Sequence, residues 1–100
     1  MEIKKERNGN VMTVHLSGRL GLKDAKELNK FIQEELNGVT DLTFDLAELS
    51  YIASAGLRAL LIAQDTIDAA QGSMKLVHVN HIVLEVLQLT GFIDFMNVED

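Results

Sequence analysis

The sequence of 100 residues contains no cysteine, no proline and no tryptophan, and it has a single tyrosine. The absence of cysteine excludes disulfides, thiolate catalysis and cysteine-ligated metal sites, and it lends no support to secretion into an oxidising compartment. With so few aromatic residues the chain has no platform on which nucleic acid bases could stack. No apolar run approaches the roughly 18 residues of a membrane helix, and the charged amino terminus lacks the apolar core of a signal peptide. We therefore expect a cytoplasmic protein that neither inserts into a membrane nor binds nucleic acid directly.

Positive charge is also scarce, because the chain has 9 basic and 15 acidic residues and its net charge is -6. This balance argues against a general attraction to phosphate backbones or anionic lipid, and it favours a partner with a basic surface. The chain length and an apolar content of 47% suit one hydrophobic core. We expect a single domain over residues 1–100, without a linker.

The first half of the chain shows hairpin and helix signals. Asn8-Gly9-Asn10 is a turn sequence between a short charged segment and the alternating run Met12–Leu16, which indicates a β-hairpin. After Gly18 an amphipathic stripe predicts a helix, with Asp24 as its cap and Gly38 as its stop. The stripe consists of Leu28, Phe31, Ile32 and Leu36.

The second half alternates between strands and helices. A strand is predicted over Asp41–Leu46, a helix from Gly56 to near Gly72, and a strand over Met74–Val79. A third helix is predicted over about Ile82–Leu89, ending near Gly91, and a last short strand over Phe95–Val98 is an option. The order β-β-α-β-α-β-α predicts an α/β domain. We expect a mixed, mostly parallel sheet of four to five strands with an antiparallel amino-terminal edge, and about three to four helices.

Ser54 is the polar residue that stands out where the second predicted helix begins. Loops at the carboxyl ends of parallel strands are where ligands and partners gather in such folds. One interpretation is that the hydroxyl caps the helix, which would stabilise it by roughly 1 kcal/mol. The other is that it accepts a phosphate, because a helix amino terminus stabilises negative charge. The small residues Ala53, Ala55 and Gly56 leave space around the oxygen, and Arg58 lies near the same helical face.

Catalytic and metal-binding patterns are weak. Ile52–Gly56 partly resembles the G-x-S-x-G elbow of hydrolases, but Ile52 replaces the first glycine and no triad is specified. His78, His81 and Glu85 could crowd around a metal, yet a strand histidine and a helix-start histidine are more simply boundary residues. Neither a Walker loop nor a dinucleotide fingerprint occurs. We therefore expect no enzyme, no cofactor and no metal site.

The third predicted helix is apolar on more than one face. This property suits either burial between the sheet and a neighbouring helix, or a contact with a partner or a second copy in a homodimer. Its apolar residues are Ile82, Val83, Leu84, Val86, Leu87 and Leu89.

Three segments together resemble the STAS domain family, bacterial anti-sigma factor antagonists. The central one is DLAELSYIASAGLR at residues 45–58, in which a strand ending in "DL" leads to an aromatic residue, a small loop, serine, glycine and leucine. VHLSGRL at residues 14–20 resembles the strand of the family that ends in G-x-L. EVLQLTGF at residues 85–92 resembles its last helix and following turn. The resemblance covers nearly the whole chain in the right order.

The resemblance implies a phosphorylation switch that regulates transcription by exchange of partners. The unphosphorylated protein would bind an anti-sigma factor that is also a serine kinase and so free a sigma factor. Phosphorylation of Ser54 would end the complex, and a PP2C-type phosphatase would reset it. An alternative within the fold is a structural subunit of a larger signalling or lipid-transport assembly. The residues that match the partner-binding site are Gly21, Tyr51, Ala53, Ser54, Ala55, Gly56 and Arg58.

The chain departs from the family at two of these positions. Many members carry aspartate directly before the serine and after the G-x-L of the second strand, whereas this chain has Ala53 and Gly21. The expected site is therefore less acidic than is usual in the family.

Overall fold

The computed structural model describes residues 1–99, which form five strands, three α-helices and one short 3-10 helix. The hairpin begins the chain, and helices then alternate with strands. The elements are β1 (Glu2–Asn8), β2 (Val11–Leu20), α1 (Leu22–Glu35), β3 (Asp41–Ile52), α2 (Ser54–Ala69), β4 (Ser73–Val77), α3 (His81–Thr90), the 3-10 helix (Phe92–Phe95) and β5 (Val98–Glu99).

All five strands form one sheet in the order β1-β2-β3-β4-β5. β1 runs antiparallel to β2, and the other three pairs are parallel. The predicted fold class, a single α/β domain with a mixed sheet and an antiparallel amino-terminal edge, is confirmed. The tight turn of the hairpin depends on Gly9, whose φ of +64° is a left-handed conformation that favours glycine.

The core lies on one side of the sheet because apolar residues alternate with polar ones along β2 and β3. Met12, Val14 and Leu16 on β2 are buried, as are Leu42 and Phe44 on β3. The residues between them point to the opposite, polar face. α1 and α2 pack against each other and against the apolar face. Their stripes there consist of Ala25, Leu28 and Ile32 on α1, and Gly56, Leu57, Ala59, Leu60, Ala63 and Ile67 on α2.

The apolar residues of α3 are divided between the core and the surface. Val83 and Leu87 are fully buried in the core, whereas Ile82 and Leu89 are exposed. The Asn80 side chain fixes the start of the helix, since its Oδ1 accepts a hydrogen bond from the Val83 amide at 3.0 Å.

Several predicted boundaries were wrong. β3 continues to Ile52 because bulges shift its register against β2 and let the ladder run on. β4 ends at Val77, since His78 has a φ of +56° and leaves the extended conformation. The last strand begins only at Val98, because Phe92–Phe95 forms a 3-10 turn. Asp24 is not the cap of α1. That position belongs to Gly21.

The helices formed by residues 1–99 do not include one that is both long and apolar enough to span a membrane.

Candidate functional site

Ser54 is the first residue of α2 and follows the carboxyl end of β3, the central strand of the sheet. Its side chain is exposed. Within residues 1–99 no hydrogen bond to its hydroxyl is formed, and the helix start has no side-chain cap. Position and exposure therefore leave the oxygen open to a second molecule.

The interpretation of Ser54 as the helix cap is wrong. Ala53 occupies the cap position with an extended backbone, φ -90° and ψ 168°, and it has no side-chain oxygen to offer. Ser54 already belongs to the first helical turn, where its own amide is among the free donors. The serine therefore contributes a hydroxyl beside these amides and does not satisfy them.

Gly21 and Ala53 are brought together by the pairing of β2 with β3. The Ala53 amide donates to the Leu20 carbonyl at 2.9 Å, which holds the start of α2 beside the start of α1. The Gly21 amide donates to Asp24 Oδ2 at 3.1 Å, and the amino-terminal ammonium group lies 3.4 Å from Asp24 Oδ1. The bond from Gly21 is the largest cause that lowers the pKa of Asp24, and the ammonium group adds to it.

Gly56 does not leave space around the Ser54 oxygen, as the sequence suggested, but packs against the core. It is buried, and a Cβ atom placed on it would lie 2.6 Å from Leu20 Cγ and 3.0 Å from Ile52 Cγ1. The glycine therefore lets α2 approach the ends of β2 and β3 closely, and the space it leaves is filled by the core. Ala53 and Ala55 are both half-buried, so Ser54 is the exposed residue among residues 53–56.

Tyr51, three residues before the serine, is exposed on β3 and contacts Arg19, a residue that the sequence did not predict for the site. Arg19 is its partner in the β2–β3 register, and the guanidinium carbon lies 4.3 Å from the centroid of the ring. This is a cation–π contact. The pairing depends on a register shift between Gly18 and Arg19, so the only signal in the sequence was an arginine two residues before Gly21.

Two further side chains complete the surface around Ser54. Arg58 is exposed one helical turn after the serine, as expected from its spacing. Leu22, which was not predicted, begins α1 directly after Gly21 and is 66% exposed. The site therefore combines a free hydroxyl with exposed arginine, tyrosine and leucine side chains.

His78, His81 and Glu85 do not form the metal site that the sequence allowed. Among residues 1–99 no group of three or more histidine, cysteine, aspartate or glutamate residues is arranged to hold a metal ion. His78 instead lies on the polar face of the sheet, with Nδ1 3.1 Å from Asp45 Oδ1, and His15 Nδ1 is 3.2 Å from Asp45 Oδ2. Partial burial raises the pKa of Asp45, but the Ala47 amide and the two histidines outweigh it, so the net shift is downward.

Two grooves of the surface are lined by residues other than Ser54. One of about 830 Å³ runs between the carboxyl-terminal halves of α1 and α2, at the far end of α2 from Ser54. Another of about 330 Å³ lies between the end of β3 and the start of α3, and Ser50, Asn80 and Ile82 contribute to it. The serine itself is on open surface, which suits contact with a macromolecule better than enclosure of a small ligand.

A family model and a curated relative are similar to this chain over almost its whole length. The family model described as "Mlab, STAS domain" matches residues 3–97. BtrV of Bordetella bronchiseptica, a protein named as a candidate anti-sigma factor antagonist, is 26% identical over 98% of this chain and 85% of its own length.

Solved structures show the same fold. A candidate anti-sigma factor antagonist from Thermotoga maritima has a TM-score of 0.89 at 21% identity, over 98% of this chain and 86% of that one. The Bacillus cell fate determinant SpoIIAA in its phosphorylated form has a TM-score of 0.77 at 19% identity, over 99% of this chain and 92% of that one.

Proposed function

The chain belongs to the STAS domain family, and from this we propose that it is an anti-sigma factor antagonist. It is a binding module and not an enzyme. It binds an anti-sigma factor serine kinase and thereby frees a sigma factor, and phosphorylation of Ser54 ends the complex. The name of the Bordetella relative and the names of the structurally similar proteins support this function.

The observation that carries the proposal is the exposed hydroxyl of Ser54 at the start of α2. A kinase must reach the oxygen, and an oxygen without an internal hydrogen bond can be modified without loss of a folding contact. The surrounding side chains, above all Tyr51 and Arg58, supply the contact surface for the partner. A PP2C-type phosphatase returns the serine to its free state.

Phosphorylation acts on this surface through charge. A phosphate adds about -1.5 to -2 charges at neutral pH. At the centre of a docked interface this charge must be desolvated, and it repels any carboxylate opposite. A coupling free energy of about 3 kcal/mol is enough to weaken a complex by more than a hundredfold. The chain itself tolerates the phosphate, because Arg58 lies one turn away on the same helix.

The first test measures binding of serine variants to each anti-sigma factor kinase encoded in the source genome. We expect Ser54→Ala to keep wild-type affinity and Ser54→Asp to weaken it by about tenfold or more, because a fixed negative charge imitates part of the phosphate. Ser73→Asp is the matched control, since Ser73 is exposed at the opposite, amino-terminal end of a strand. It should bind as the wild type does. Equal binding by the two Ser54 variants would exclude the switch.

A second candidate is a STAS subunit of a larger signalling or lipid-transport assembly, without sigma-factor control. Two observations favour it. Gly21 and Ala53 stand where many family members have aspartate, and the matching family model is described as "Mlab, STAS domain". Purification of the tagged chain from its source cells separates the candidates: a membrane ATPase that co-purifies supports the subunit, and an anti-sigma factor kinase supports the antagonist.

A further inference from the structure

The acidic residues of the chain are unevenly distributed over the fold. From residue 59 onward, Lys75 is the single basic residue within the described part of the chain. The same segment, which includes most of α2, all of α3 and β5, carries carboxylates on each of these elements. They are Asp65, Asp68, Glu85, Asp94 and Glu99. Residues 1–58 carry 8 basic and 9 acidic side chains, so most of the net charge of -6 arises from residue 59 onward.

Three exposed cations lie on the segments that meet beside Ser54, and we call them the basic rim: Arg19 near the end of β2, Lys23 in the first turn of α1 and Arg58 in α2. Within residues 1–99 none of the three forms a salt bridge with a carboxylate. Asp24, the carboxylate next to Lys23 in the sequence, is already bound by the Gly21 amide and the amino-terminal ammonium group. The basic rim therefore keeps its charge free for a second molecule.

Most other cations in the described chain have partners within the protein. Lys4, Lys5 and Lys75 pair with Glu2, Glu35 and Glu99 respectively. Arg7 donates to two carbonyl oxygens at the end of α1, at 3.2 and 2.9 Å. Lys26 and Lys30 are exposed without a salt bridge in the described chain, but they lie one and two turns along α1, away from Gly21. Lys30 can therefore serve as a control for charge alone.

Exposed apolar groups lie among the cations of the basic rim. Leu22 is 66% exposed between Gly21 and Lys23, and Tyr51 is 39% exposed under the Arg19 guanidinium. Tyrosine and arginine are the residue types that most often dominate the energy of protein interfaces. The composition is that of a docking surface with an apolar centre and a charged border.

We propose that the basic rim docks an acidic segment of the protein partner, and that the phosphate on Ser54 releases it by neutralising the rim. This inference rests on the proposed function and specifies the chemistry of its partner. The net charge of the whole chain suggested a partner with a basic surface. The exposed cations near Ser54 lead to an acidic partner segment instead, because local charge decides which surfaces meet. The helix start adds partial positive charge at the same place. Gly21 and Ala53 fit this polarity, since aspartate at either position would cancel part of the rim.

The test needs no natural partner. Isotope-labelled protein is titrated with octa-aspartate and, separately, octa-lysine at about 10 mM salt, where charges interact over about 30 Å, and backbone amide shifts are followed by NMR. We expect octa-aspartate to move amides at residues 19–23 and 51–58. The double variant with Lys23→Glu and Arg58→Glu should weaken octa-aspartate binding by about tenfold, and Lys30→Glu by less than about twofold. Octa-lysine should move amides elsewhere.

Three results would overturn the inference: no shifts with octa-aspartate, shifts centred away from the basic rim, or equal weakening by the double variant and Lys30→Glu. The last would mean that only net charge matters. The peptide titration and the kinase-binding test examine separate claims, so a negative result in one does not decide the other. Loss of the Ser54 effect leaves the peptide map unchanged, and a negative peptide titration leaves the effect of Ser54→Asp on kinase binding in place.

Discussion

Asp45 lies on the polar face of the sheet, at the bulge of β3 that precedes Ser54. Its Oδ1 accepts a hydrogen bond from the Ala47 amide at 3.0 Å, at the point where β3 bulges against β2. The same carboxylate lies between His15 and His78. Because a bulge bends its strand, these contacts help to set the direction in which β3 approaches the start of α2.

The lowered pKa of Asp45 predicts how stability depends on pH. The free energy that the ionised carboxylate contributes is fully present above the unfolded pKa of about 3.9 and is lost as pH falls through the lower, folded pKa. We expect Asp45→Asn to lower the free energy of unfolding by about 1 kcal/mol near pH 6. The difference from wild type should shrink as the pH falls below about 4.

Urea unfolding of both proteins between these pH values measures the difference. Asp65→Asn, which removes an exposed carboxylate from α2, is the control and should change stability little at any pH. A difference between Asp45→Asn and wild type that stays constant with pH would contradict the assignment.

The packing of α2 against the sheet fixes where the serine is presented. Gly56 lies in the first turn of α2, directly over Leu20 and Ile52, the last residues of β2 and β3. The close approach at this one position determines the depth at which the whole helix sits. Ser54, two residues earlier, is placed on the surface as a consequence.

Gly56→Ala should therefore destabilise the protein, although alanine is the better helix former. Overpacking of a core costs about 1–3 kcal/mol, whereas the propensity gain of alanine over glycine is at most about 1 kcal/mol. The contact at 2.6 Å with the buried Leu20 Cγ makes the first effect the larger. We expect a net loss of about 1–2 kcal/mol in the free energy of unfolding, measured by denaturant titration.

A double-mutant cycle gives the control. In a Leu20→Ala background the clashing atom is absent, so the further change Gly56→Ala should cost little or be stabilising. If the glycine substitution costs the same in both backgrounds, the contact with Leu20 is not the reason for the glycine.

The elements of the fold could be predicted where the cause is local. The hairpin follows from a glycine that adopts positive φ at residue 9, and α1 and α2 follow from apolar stripes that face one core. Boundaries that depend on a neighbouring element could not be predicted. The extension of β3 requires the bulges against β2, and the early end of β4 requires the left-handed backbone of His78.

The placement of the candidate site residues could be predicted only where it depends on local spacing. Ser54 and Arg58 lie near each other because helical spacing is local. Arg19 could not be placed beside Tyr51, since their pairing depends on the register between two strands that are distant in the chain. The interpretation of Gly56 as space around the serine failed because the direction of its missing side chain depends on how α2 packs.

At the scale of the whole molecule, charge is unevenly distributed, and the segments beside Ser54 carry exposed cations. A chain with a net charge of -6 presents Arg19, Lys23 and Arg58 on these segments and concentrates carboxylates on the elements that follow. A charged partner is oriented by such a field before contact. The proposed phosphorylation of Ser54 would add negative charge beside these cations, so that a single modification would govern association.

The measurement that tests the switch most directly is mass spectrometry of the chain after incubation with ATP and the anti-sigma factor kinase that binds it. We expect one added phosphate, located on the peptide that contains Ser54, and none on Ser54→Ala under the same conditions. Ser73→Ala should be phosphorylated as the wild type is. A kinase that binds the chain but leaves Ser54 unmodified, or that modifies Ser54→Ala equally, would contradict the proposed switch.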